Sequence, residues 1–318
     1  MSTTVFPYLS KEKLKEAEKE ATARELSWLL ETLKEETFEA LKSGIKECLT
    51  LLAPVNPGST LVLSSLRSES IKGHVTRIGN QIVKGTFHLR LRTHAPLNLT
   101  ISPVSSTSKN RGFYLPSLKT LSSLLEQSLS CLNSVQFSSA QIDQIPSIDS
   151  ASTSIFSQLR LLYSLFQESI SILKGSNSHL SPNTSLATSQ YKAIEWNEEP
   201  SESVTFTPEL PPTLALNISI SDCSLLLTIR VLEPCAQAPT ISSFFLTGIG
   251  VQRRLEHDEM DQEFLYRGKM VRVKEKCQVE SSADPCLLSC AAKLQALERS
   301  TLGALDAIRA LTGSENDD

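Results

Sequence analysis

The sequence predicts an α+β fold: an elongated molecule with a helical bundle, in which the N- and C-terminal helices pair, and an antiparallel β domain. Two observations carry this. Charged, leucine-rich helical segments stand at opposite ends of the chain, from Lys11 to Leu52 and from Ser282 to Leu311, and β-type alternating sequence lies between them. Neither terminal segment can bury its apolar stripe alone, so each needs a partner helix, and the other terminus is the obvious one. If helical throughout, the first segment would be roughly 60 Å long at ~1.5 Å per residue, which predicts the elongation.

The elements follow in order. Ser10 is placed to cap the first helix. Lys11 to Glu25 is almost wholly polar and is expected to project into solvent. Apolar spacing begins at Leu26, continues through Leu30 and Leu33, slips, and resumes at Phe38, Leu41, Ile45, Cys48 and Leu52. Steps of three and four residues make a bundle seam. Pro54 and Asn56-Pro57-Gly58 end it. Thr60 to Leu63 reads as a strand, and Gly73 to Ile78 leads into a Gly79-Asn80 turn. The run after that turn places Val83, Phe87, Leu89 and Leu91 on one face and Lys84, Thr86, His88 and Arg90 on the other, with Gly85 marking a bulge or close packing.

Leu118 to Val135 and Ser152 to Leu173 carry amphipathic helical spacing and complete a four-helix bundle. Gly175 to Ser203 is rich in Ser, Asn, Thr and Pro and is expected to be disordered, with local order around Tyr191 to Trp196. Thr213 to Ile220 and Cys223 to Leu232 form a hairpin around Ser221-Asp222. A second pair, Glu263 to Tyr266 and Met270 to Val279, surrounds Arg267-Gly268-Lys269. Asp284-Pro285 opens the last helix, with Asp as cap and Pro in the first turn. Its stripe is Leu287, Ala291, Leu294, Leu297, Leu302, Leu305 and Ile308. Leu26, Leu30, Leu33, Leu41, Leu294, Leu297 and Leu305 are the expected seam between the ends. The expected domains are a bundle from 10–53, 116–174 and 283–312, a β domain from 59–101 and 204–280, and a disordered insertion at 175–203.

Composition excludes several function classes. A net charge of -4 over 318 residues implies no polyanion partner, so no nucleic acid. Lys11 to Glu25 mixes acids and bases, whereas a DNA-binding zipper needs a basic region continuous with its heptads. No apolar run reaches the ~18 residues of a transmembrane segment, and the first residues lack the long apolar stretch of a signal peptide. An odd count of 7 cysteines then reads as reduced thiols.

Enzyme signals are weak. Gly248-Ile249-Gly250 lacks the third glycine and the strand–helix context of a phosphate loop. Cys286 and Cys290 share a helix face, but no second pair stands at zinc spacing, so both read as core. The expectation is no enzyme, no metal and no cofactor. The candidate partner-binding residues are the apolar patch Phe244, Phe245 and Leu246, and the cations Arg272, Lys274 and Lys276 alternating along one strand. The latter also fit an edge strand guarded by lysines.

Four stretches in order resemble the Rogdi family. They are Glu25 to Leu30; Ile71 to Thr76 with its Gly-Asn turn; Phe206 to Pro212 running on to Leu216 and then Ile220 to Leu225; and Phe264 to Gly268 followed by Val279-Glu280-Ser281 and Asp284-Pro285. The serine-rich loops 102–112 and 175–203 and residues 1–24 stand outside the resemblance. It implies a bundle with paired terminal helices beside a β domain. It also implies the role of the second subunit of the fungal RAVE complex, which promotes assembly of the vacuolar proton-transporting ATPase. The implied partners are a large WD-repeat RAVE subunit, a Skp-type adaptor and the peripheral sector of the ATPase. The implied location is cytoplasmic, with peripheral recruitment to vacuolar or endosomal membranes. No catalytic residue comes with the family. The alternative function is a free-standing helical adaptor in membrane trafficking.

Overall fold

The computed structural model describes residues 10–64, 70–101, 112–134, 145–175, 196, 206–235, 257–260 and 262–313. They fall into two compact units, one within Met1–Thr50, Ser122–Ile170 and Ala292–Asp318, the other within Leu51–Leu121 and Ser171–Ala291. The fold is α+β, with a helical unit and antiparallel sheets. Phe244, Phe245, Leu246 and the Gly248-Ile249-Gly250 stretch lie outside the described residues, as does the 175–203 insertion apart from Gly175 and Trp196.

Helix α1 (Lys11–Thr32) starts at Ser10, whose hydroxyl accepts from the Lys13 amide at 3.4 Å. Its polar first half is solvated, and burial begins at Leu26. The slip in the apolar pattern is a π-helical turn, Leu33–Thr37, which leads into α2 (Phe38–Leu52). Leu33 and Phe38 are five apart, yet both are buried. In an α-helix a five-residue step rotates a side chain about 140° off the seam at 3.6 residues per turn; the wider turn absorbs the extra residue. Leu41, Ile45, Cys48 and Leu52 then continue the buried stripe.

The terminal helices pair. On α5 (Pro285–Thr312), Lys293 forms an ion pair with Glu47, and the Leu297 methyls lie against Gly44. Numbers rise along one helix as they fall along the other, so the pair is antiparallel. Helices α3 (Pro116–Ser134) and α4 (Ile145–Lys174) meet where the Cys131 Sγ lies 3.8 Å from the Gln158 carbonyl. Arg309 of α5 covers the Phe156 ring of α4 at 5.3 Å. Leu26, Leu30, Leu33, Leu41, Leu294, Leu297 and Leu305 are all buried. Leu302, expected in the stripe, is 38% exposed. Thr301 is buried in its place, its hydroxyl satisfied by the Leu297 carbonyl at 2.8 Å.

The first sheet runs β1 (Ser59–Ser64), β2 (Ile71–Ile78), β3 (Gln81–Leu89), β4 (Leu97–Ile101), all antiparallel, with β5 (Phe113–Tyr114) also on β3. A bulge corrects the expected faces. Thr76 pairs with Lys84 but Arg77 with Ile82, so Val83 is the extra residue and Ile82, not Val83, enters the core. Strands β4 and β5 were not expected from sequence: one is short and follows a turn, the other has two residues, too few for a period.

The second sheet runs β6 (Leu214–Ser221), β7 (Ser224–Pro234), β9 (Lys269–Glu280), β8 (Glu263–Tyr266). Its hairpins turn at Asp222-Cys223 and Arg267-Gly268, all at positive φ as tight two-residue turns require. The first turn sits one residue later than the sequence pattern suggested. Strand β8 flanks β9 only over Lys269 to Arg272, so Arg272 lies inside the sheet while Lys274 and Lys276 lie beyond the end of β8.

The β unit is tied together at Asp284, which is fully buried. Its Oδ1 caps α5, accepting from the Cys286 and Leu287 amides at 2.9 and 3.4 Å, and from the Ser59 hydroxyl of β1 at 3.3 Å. Its Oδ2 accepts from Arg77 Nε of β2 at 2.6 Å, and Arg77 Nη1 donates to the Gly79 carbonyl. The Asp284 amide donates to the Cys223 carbonyl of the β6–β7 turn at 3.0 Å. That turn also caps α4: the Asp222 and Cys223 amides donate to the Lys174 and Leu173 carbonyls. Gly175 follows at φ +89, where a Cβ would strike the Ile220 carbonyl, so only glycine fits.

Candidate interaction surface

The second sheet has two different faces. Leu227, Ile229 and Val231 of β7 and Leu214, Leu216, Ile218 and Ile220 of β6 supply the core. Thr228, Arg230 and Leu232 alternate to the opposite face. Strand β9 keeps this alternation only through a bulge. Leu232 pairs with Val273 and Val231 with Glu275, which leaves Lys274 as the extra residue. The bulge decides the fate of the expected basic stripe. Arg272 points away from the face of Val271 and Val273 and pairs with Glu263 at 2.5 Å. Lys274 is exposed in the bulge. Lys276 stands beside Arg230 and is mostly buried. The structure therefore does not gather the three cations on one surface.

It gathers a different cluster instead. Arg230, 6% exposed, clamps Glu259 through Nε and Nη2 at 2.6 and 2.8 Å. Lys276 donates to the same carboxylate at 2.7 Å and to Asp258 at 2.8 Å. Trp196 covers the arrangement. The Arg230 guanidinium lies 4.5 Å from its ring centroid, and the Phe264 and Tyr266 rings lie at 5.0 and 5.8 Å. Beneath them Ala215, Leu232, Tyr266, Val271 and Val273 form an apolar floor. Arg230 Nη1 is buried without a hydrogen-bond partner among the described residues, as are both ring nitrogens of His257, two residues before Glu259. An unpaired buried donor costs about 1–3 kcal/mol. The sequence held one signal for this site: Arg230 is a lone charge inside the run Leu225 to Leu232, and a buried cation must find an acid. Which acid it finds depends on the turn at 257–260, which has no pattern.

A second carboxylate latches a loop. Glu275, 4% exposed, accepts from the Arg92 and Thr93 amides at 3.0 and 2.9 Å and from the Thr93 hydroxyl at 2.7 Å. Burial alone would raise its pKa, but these hydrogen bonds outweigh it and the net shift is downward. Glu259 behaves likewise: burial raises it, while Arg230 and Lys276 bring it below the ordinary value. Both folded pKa values thus lie under the ordinary 4.5, so these groups add stability above that pH and lose it as pH falls through the folded values. Stability is expected to drop as pH falls below about 5 and through the lowered folded values, and Glu259→Gln with Glu275→Gln should lower stability at pH 7 while flattening that drop. Urea midpoints at pH 7 and pH 4 check this; an equally steep loss in the double variant counts against it.

Chemical groups are otherwise sparse. Among the described residues, no three His, Cys, Asp or Glu side chains are grouped to hold a metal ion. Cys290 is buried and Cys286 half-buried, 3.8 Å from the Ser59 hydroxyl. Burial pushes the Cys277 thiol up to about 11, helped by the Glu275 charge. No described helix is long and apolar enough to cross a membrane.

Residues 25–309 match the family described as Rogdi leucine zipper containing protein. The chain belongs to the Rogdi family. The match spans both units and ends just short of the last turn of α5. The chain is also similar to the Schizosaccharomyces pombe protein named regulator of V-ATPase in vacuolar membrane protein 2. Identity is 25% over 291 residues, covering 87% of this chain and 89% of that protein.

Proposed function

We propose that this protein is a non-enzymatic subunit of a RAVE-type complex, which promotes assembly of the vacuolar proton-transporting ATPase from its peripheral and membrane sectors. One observation carries this reading: the likeness to the fission-yeast V-ATPase regulator runs through both units, over 87% of the chain. The chemistry agrees with it. The buried ionic groups are spent on fixing loops and a helix start, and the conspicuous exposed groups are apolar, such as Leu265 and Met270 facing each other across β8 and β9. The partners in this reading are a large WD-repeat subunit, a Skp-type adaptor and the peripheral ATPase sector. The protein acts from the cytoplasm and is recruited peripherally to vacuolar or endosomal membranes.

The test is purification of the tagged full-length chain from its own cells, together with a deletion strain. The expected result is a stoichiometric WD-repeat protein in the eluate. In the deletion strain the peripheral sector should fractionate with the cytosol and vacuoles should acidify poorly. Normal acidification and normal membrane association of that sector, with no second copy of the gene, would refute the assignment and favour the trafficking adaptor.

A further inference from the structure

We propose that the outward face of α1 is a dimerisation surface, on which the α1 of a second copy of this chain lies antiparallel. Helix geometry sets the stripe. Leu26 and Leu30 of α1 are buried. A step of two residues turns the helix about 200° at 3.6 residues per turn, so Trp28 points directly away from both. Trp28 is 67% exposed and Leu14 48%. Ala17 and Ala21 are exposed as well. Steps of three, four and seven residues put Leu14, Ala17, Ala21 and Trp28 on one face. Helix α1 thus carries apolar groups on two opposite sides, and only the inward side is covered. Residues 11–22 are exposed on every side. Three turns of helix without tertiary burial are marginal in water, and a second helix laid along them supplies that burial.

Charge identifies the occupant. Lys11 to Lys15 holds three lysines and one glutamate, whereas Glu25 to Glu36 holds four glutamates and one lysine. A basic helix start opposes the helix dipole, and glutamates brought alongside it offset that cost. An antiparallel second copy brings them, while a parallel copy sets like charges side by side. With the two-fold axis at Ala21, Leu14 of each copy stands level with Trp28 of the other, seven residues from the axis on either side. The small side chains of Ala17 and Ala21 let the two helices approach closely between these anchors. Lys13 then lies about 3 Å along the axis from the level of Glu31 of the other copy and on the same side of the seam, within reach of its long side chain. The same patch serves both copies, so the contact closes on itself and gives dimers, not filaments. The assignment uses no part of the ATPase reading and stands or falls separately.

The experiment is sedimentation equilibrium of the purified full chain. A monomer–dimer equilibrium is expected with Kd in the range of about 1–100 μM, as suits a small contact made by one helix from each copy. Trp28→Ala should weaken it at least about thirtyfold, the usual effect of truncating an aromatic anchor. Because Trp28 is exposed in the single chain, its urea midpoint should stay unchanged in the monomer. Charge reversal supplies a readout that a merely structural role does not move. Lys13→Glu and Glu31→Lys should each weaken dimerisation about tenfold, although the first improves the match to the helix dipole. An equimolar mixture of these two variants, or the chain carrying both changes, should regain wild-type affinity, since opposite charges then face each other at both ends. A chain that stays monomeric at about 200 μM overturns the proposal and leaves this face to a different protein. So does a dimer that Trp28→Ala leaves intact, or a mixture of the charge variants that associates no better than either alone.

Discussion

Asp284→Ala is expected to cost about 3–5 kcal/mol, enough to unfold the β unit under mild denaturant. Two losses coincide at this carboxylate. Arg77, 3% exposed, keeps its charge in a site with no other described acid against it. The start of α5 loses its cap, since Oδ1 holds the Cys286 and Leu287 amides, a loss of about 1 kcal/mol by itself. Asp284→Asn separates the two, because an amide oxygen still caps while the charge is gone. The double variant Arg77→Met with Asp284→Asn should be more stable than either single change, since it removes the stranded charge while keeping the cap. Urea unfolding of the wild type, Asp284→Ala, Asp284→Asn, Arg77→Met and the double variant measures this. A shift below about 1 kcal/mol for Asp284→Ala, within the usual range of minor substitutions, would show that the pair contributes little.

This node shows how far the sequence could be read. Asp284-Pro285 announces a helix start by local chemistry alone, and the cap is where the dipeptide places it. The local signal is silent about Arg77, more than two hundred residues earlier, because an ion pair across that separation leaves no periodicity. The same division holds elsewhere. The break between Leu33 and Phe38 was visible as a slip in spacing, and the π-helical turn is its physical form. The bulge at Lys274 was invisible, since an inserted residue in a strand of alternating Val, Arg, Val, Lys reads as regular alternation. That single bulge dissolved the expected basic stripe and placed Lys276 against Glu259 instead. Trp196 lies between these cases: composition marked it as a point of order in a polar stretch, and only the sheet opposite it explains why.

Leu294→Ala and Leu30→Ala are each expected to cost about 2–5 kcal/mol, because both side chains are fully buried in the helical unit and their removal leaves cavities. Leu302→Ala, from the same helix but on its exposed side, should stay within about 0.5 kcal/mol. These values test burial, and a further cycle tests the pairing itself. Gly44 of α2 lies so close to α5 that a Cβ there would sit 2.6 Å from Leu297 Cδ2. Gly44→Leu therefore overpacks the seam by about 1–3 kcal/mol despite its better helix propensity. Leu297→Ala opens a cavity beside it. If the terminal helices pair antiparallel in register at these residues, the two changes compensate: the large side chain on α2 enters the space vacated on α5, and the double variant is more stable than the sum of the singles predicts. The propensity gain of Gly44→Leu cancels in the cycle, so the remaining coupling reports contact alone. Strict additivity in denaturant unfolding would mean that α2 and α5 do not touch at this point, and the pairing of the two ends would have to be abandoned.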